Sequence, residues 1–77
     1  MRLPRDLSGE DLVTRLERHG YRVVRRRSSH IRLAHPGPPE HHVTVPAHSS
    51  IKVGTLSSIL AAVGEHLHLT KDQILED

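Results

Sequence analysis

The sequence predicts a single α+β domain over residues 1–77, in the order α-β-β-β-α with a short helical tail. Three observations carry that expectation. Three short runs rich in β-branched and aromatic residues are joined by segments too short for a helical crossover, so their strands pair antiparallel. An amphipathic stretch precedes them and another follows, and two helices cover only one face of a sheet. The chain of 77 residues leaves no room for a second hydrophobic core.

Leu7-Ser8-Gly9-Glu10-Asp11-Leu12 reads as a helix start. Ser8 caps the backbone N–H of Asp11, and Leu7 and Leu12 stand where a hydrophobic staple places them. Leu12, Val13 and Leu16 form the buried stripe, and Gly20 ends the helix. Residues 21–26 favour a strand, Ser28-Ser29 turn the chain, and His30–His35 form the second strand. His35-Pro36-Gly37-Pro38-Pro39 must be loop, because its prolines cannot donate to a ladder. Residues 42–46 make the third strand and residues 47–54 a polar loop. Thr55 is the expected cap of the second helix, whose stripe is Leu56, Ile59, Leu60, Val63 and Leu67. Gly64 weakens that helix and marks a possible break. Leu69-Thr70-Lys71-Asp72-Gln73-Ile74 repeats the capping logic and starts a short final helix.

The formal net charge of +2 hides an asymmetry. Residues 1–32 hold nine Lys/Arg against four Asp/Glu, whereas residues 33–77 hold two against five. A basic half of this kind points to an anionic partner such as nucleic acid. Cysteine is absent, which excludes disulfides and thiolate zinc sites and suits a reducing compartment. No apolar run approaches the length of a membrane span, and the N-terminus lacks an apolar signal segment. The expectation is a soluble, cytoplasmic protein with no membrane association.

Strict alternation along the strands sorts the side chains. Tyr21, Val23, Ile31, Leu33, Val43 and Val45 fall on the face toward the helices. Arg22, Val24, Arg26, His30, Arg32, His42 and Thr44 fall on the open face. Arginines concentrate phosphate, and histidine is the side chain best able to move a proton near neutral pH. His30 among Arg22, Arg26, Arg27 and Arg32, with Ser28 and Ser29 beside it, therefore suggests a site that holds an RNA phosphodiester and cuts it. The 2′-hydroxyl would lose its proton to His30, and the arginines would neutralise the phosphorane. This route needs no cofactor. The eight histidines also invite a metal reading. It is disfavoured: His41 and His42 are adjacent on a strand and point apart, and His66 and His68 are separated on a helix. A non-catalytic RNA-binding module remains the alternative, and a histidine-rich metal-binding protein ranks below it.

The landmarks are Leu16-Glu17-Arg18-His19-Gly20-Tyr21, then Arg27-Ser28-Ser29-His30, then Val43-Thr44-Val45-Pro46 with His48. Lys52-Val53-Gly54-Thr55-Leu56-Ser57-Ser58-Ile59-Leu60 completes them. In order and spacing, across residues 8 to about 75, the chain resembles the HicA toxins of bacterial toxin–antitoxin systems. The resemblance implies a double-stranded-RNA-binding-domain-like fold and an endonuclease acting on mRNA without the ribosome. It also implies a HicB-type antitoxin as partner. The family's Gly-Ser-His carries the catalytic histidine, which maps onto His30, with Ser28 standing where the family has glycine. Gly54-Thr55 reads as an ordinary helix start, and His48 as an exposed loop histidine.

Overall fold

The first helix forms where its cap allows. In the computed structural model, which describes residues 3–76, Ser8 Oγ accepts from the Asp11 backbone N–H at 3.0 Å and opens α1 (Gly9–Glu17). Leu12 and Leu16 are fully buried along its inner stripe, and Leu7 packs beside them. A turn then closes on Gly20, whose φ of 96° is open to glycine at little cost. Three strands follow: β1 (Arg22–Arg27), β2 (His30–His35) and β3 (His41–Pro46). They form one antiparallel sheet in the order β1-β2-β3. Next come α2 (Val53–Leu67) and α3 (Lys71–Leu75). This is the α+β order that the sequence predicts, one open sheet with helices before and after it, and it is consistent with the double-stranded-RNA-binding-domain-like arrangement that the resemblance implies.

The core lies between the sheet and the helices. Ile31, Leu33 and Val45 of the sheet meet Leu56, Leu60 and Val63 of α2, all buried to 1% exposure or less. Each such side chain contributes about 1.5–3 kcal/mol by leaving water. Two backbone approaches lock the layers. Gly9 N–H donates to the His48 carbonyl at 2.9 Å, and a Cβ at Gly9 would stand 2.1 Å from the Pro46 carbonyl oxygen. The α1 N-terminus can sit against the end of β3 only because residue 9 lacks a side chain.

The structure departs from the sequence expectations at several ends. The second helix begins at Val53 after Lys52, with no side-chain cap, so Thr55 lies in its first turn and caps nothing. Gly64 does not break the helix. A Cβ there would meet the Leu69 carbonyl at 2.6 Å, so glycine admits the returning chain after His68 takes a left-handed turn at φ 59°. The loop over residues 47–52 is less polar in effect than in composition: Ile51 is buried and its N–H donates to the Leu7 carbonyl at 2.8 Å. The final helix is as expected, with both bonds of the Thr70–Gln73 capping box in place.

Candidate functional site

The open face is organised by a slip in β1. Arg22 pairs with Ala34 and Val23 with Leu33, but the next partners are Arg25 with Arg32, Arg26 with Ile31 and Arg27 with His30. Val24 is the extra residue of a bulge, and everything after it changes face. On the open side, Arg27, His30 and Pro46 therefore form one row, and Arg25, Arg32 and Thr44 the next. Arg22, Ala34 and His42 make the third. His30 thus stands at the hairpin end of the sheet with Arg27 directly across from it and Arg32 two residues along.

Arg26 is the correction. Alternation placed it on the open face; the bulge turns it to the helix side, opposite the core residue Ile31. There its guanidinium grips Glu10 of α1 with both arms, at 2.7 and 3.1 Å. The hydrogen bond from Arg26 holds the Glu10 carboxyl below its ordinary range, and the same contact raises Arg26. Arg25 takes the open-face place, and the sequence reading had not singled it out. The signal was present. A two-residue turn at Ser28-Ser29 makes Arg27 share a face with His30, and so Arg25 with Arg32. Tyr21 and Val23, however, must face the core. Only one inserted residue reconciles the two counts.

The turn itself needs no glycine. Among the described residues His68 is the only non-glycine with positive φ, so Ser28 and Ser29 both lie in ordinary backbone regions. Serine at position 28 is accommodated without strain. Ser29 Oγ sits 3.1 Å from His30 Nδ1, and the Ser29 carbonyl accepts from Ala47 N–H at 3.0 Å, which ties the turn to the end of β3. His30 is exposed. Further along the face, Arg32 Nε donates to His42 Nδ1 at 3.2 Å, and His42 Nε2 lies 2.9 Å from Glu40 Oε1. Arg22 approaches Glu40 Oε2 at 3.8 Å.

On the helix side a second set of histidines gathers around Tyr21. The phenol oxygen lies 2.6 Å from His41 Nδ1, and His41 stacks on His66 with ring centres 4.6 Å apart. His35 Nδ1 lies 3.0 Å from His66 Nε2. Burial pushes the Tyr21 phenol up to about 12. His41 is held below its ordinary value by burial first, and then by the nearness of His66, His35 and His42. His41 and His42 do point to opposite faces, as the sequence implied, but His41 and His66 meet, which no local spacing announces. Among the described residues no group of three or more His, Cys, Asp or Glu is arranged to hold a metal ion. Among the same residues no helix is long and apolar enough to cross a membrane.

In comparison with known families, the family described as HicA toxin of bacterial toxin-antitoxin matches residues 9–65. Neither the curated proteins nor the solved structures compared with the chain gave a match. The matched stretch is most of the chain and contains all of α1, the sheet and most of α2. The chain belongs to the HicA toxin family, and membership implies an antitoxin partner.

Proposed function

From this membership of the HicA toxin family, we propose that the chain is a metal-independent endoribonuclease that cuts mRNA with His30 as its proton-transfer residue. The observation that supports it most is the row Arg27–His30 beside the row Arg25–Arg32 on an uncovered sheet face. In the tautomer whose Nδ1–H donates to Ser29 Oγ, His30 keeps its Nε2 lone pair for the substrate. That nitrogen takes the proton of the 2′-hydroxyl, whose oxygen attacks the adjacent phosphorus. The bond to the 5′-oxygen breaks, the leaving oxygen takes a proton, and a 2′,3′-cyclic phosphate remains. In this reading Arg27 and Arg32, with Arg25, neutralise the charge that builds on the phosphorane. Ser28, Ser29 and Arg22 border the same face, whereas Arg26 supports it from behind by fixing β1 to α1.

The antitoxin in this reading is of HicB type, and it inhibits by covering the open face with acidic side chains. A chain that acts on mRNA works in the cytoplasm. His30→Ala tests the reading: an exposed side chain leaves no cavity, so the fold should persist while RNA cleavage and growth inhibition disappear. A folded variant that still cuts RNA at the wild-type rate removes His30 from the mechanism.

A further inference from the structure

Four side chains of the open face form a chain of contacts with His42 in the middle. Arg32 Nε donates to His42 Nδ1, and a guanidinium has donors only. Nδ1 must therefore carry its lone pair, and the ring proton sits on Nε2, donating to Glu40 Oε1 at 2.9 Å. The other carboxylate oxygen faces Arg22 at 3.8 Å. Both ring nitrogens of a neutral His42 are thus engaged, and the ring has one orientation. Arg32 spends its Nε–H on that ring and keeps its terminal nitrogens for a phosphate. It is also the open-face neighbour of His30 along β2, so whatever fixes Arg32 fixes positive charge beside the proposed reacting histidine.

We propose that the Glu40–His42 pair is a positioning unit for Arg32: Glu40 orients the ring, and the ring's Nδ1 accepts from Arg32 Nε and so holds the guanidinium beside His30. The charged and titratable groups around His42 are Arg32 on β2, Glu40 in the loop before β3, Arg22 on β1 acting through Glu40, and the adjoining His41. This inference rests on the endoribonuclease reading of the same face, and deepens it by adding residues that touch no substrate.

The experiment measures steady-state cleavage of a labelled RNA by the wild type, Arg32→Ala, His42→Ala, His42→Asn and the double variant Arg32→Ala/His42→Ala. Asparagine offers an amide oxygen where Nδ1 stood. Loss of one exposed hydrogen bond should lower kcat for His42→Ala about five- to tenfold, with KM less affected. His42→Asn should stay within about twofold of wild type. The double variant should be no slower than Arg32→Ala alone, since the two residues act as one unit. Wild-type kinetics in His42→Ala, or losses that multiply in the double variant, would overturn the proposal. If the wild type cuts no RNA, the endoribonuclease reading fails by itself, and hydrogen exchange of the Arg32 Nε–H decides the positioning. Protection in the wild type and His42→Asn but not in His42→Ala upholds it, and equal exchange in all three refutes it.

Discussion

Replacing Arg25 with alanine should flatten the salt dependence of RNA binding, and replacing Arg26 should not. The bulge is the reason, because it leaves Arg25 opposite Arg32 on the open face and ties Arg26 to Glu10 behind the sheet. On single-stranded RNA each neutralised phosphate contributes about 0.7 to the slope of log affinity against log salt. Arg25, Arg27 and Arg32 together then give a slope near −2, or roughly an 18-fold loss of affinity between about 50 and 200 mM salt. Without Arg25 the slope falls to about −1.4 and the loss to roughly sevenfold. Arg26 is held by Glu10 and neutralises no phosphate, so it displaces no condensed cation from the RNA. Fluorescence anisotropy with a labelled single-stranded RNA reads these slopes, with every variant carrying His30→Ala so that the RNA stays whole. Equal flattening by Arg25→Ala and Arg26→Ala would refute the assignment of faces.

Acid should loosen the fold through His41. Its folded value is held below the unfolded value of about 6.5, so the unfolded chain binds the extra proton more readily. Stability is therefore complete above about pH 6.5 and declines as pH falls below it. Thermal melts should show this decline blunted in His41→Gln; an undiminished decline places the acid sensitivity elsewhere. Gly9→Ala should cost about 2–3 kcal/mol, or on the order of 10–20 °C in Tm, because its Cβ meets a backbone oxygen that cannot move aside. Gly54→Ala, with nothing within 4 Å, is the matched control, and equal losses would discount the close approach at Gly9. Cleavage should proceed in EDTA, leave a 2′,3′-cyclic phosphate or its hydrolysis product, and fail on RNA with a 2′-deoxy sugar at the cut. Dependence on added divalent metal, or cutting of the deoxy substrate, rules out the 2′-hydroxyl route.

What the sequence by itself determined was local. Ser8 and Thr70 announced helix starts because a cap is a bond between residues three apart. The β-branched runs gave three strands, but strict alternation counted from Tyr21 set Arg26 on the face of His30, where the two-serine turn in fact pairs Arg27. The sheet-facing stripe of α2, Leu56, Ile59, Leu60 and Val63, was legible for a local reason too, a period set by backbone geometry alone. So was the candidate histidine, since a proton carrier among arginines is a matter of composition and spacing.

The tertiary structure decided what depends on distant partners. Whether Val24 bulges was settled by two competing demands. Tyr21 and Val23 must reach the core, and Arg27 must meet His30 at the other end of the same strand. One inserted residue satisfies both, and it moves Arg26 to Glu10 and Arg25 to the open face. Gly64 looked like a helix breaker because propensity counts only the helix; its lack of Cβ instead admits the Leu69 carbonyl. The start of α2 at Val53 and the burial of Ile51 likewise follow from packing against Leu7 and the sheet, not from any cap in the sequence. The Tyr21–His41–His66 cluster and the Arg32–His42–Glu40 chain join residues from separate elements. Neighbours along the chain carry no record of which side chains meet across a core, because that is fixed only when the layers close.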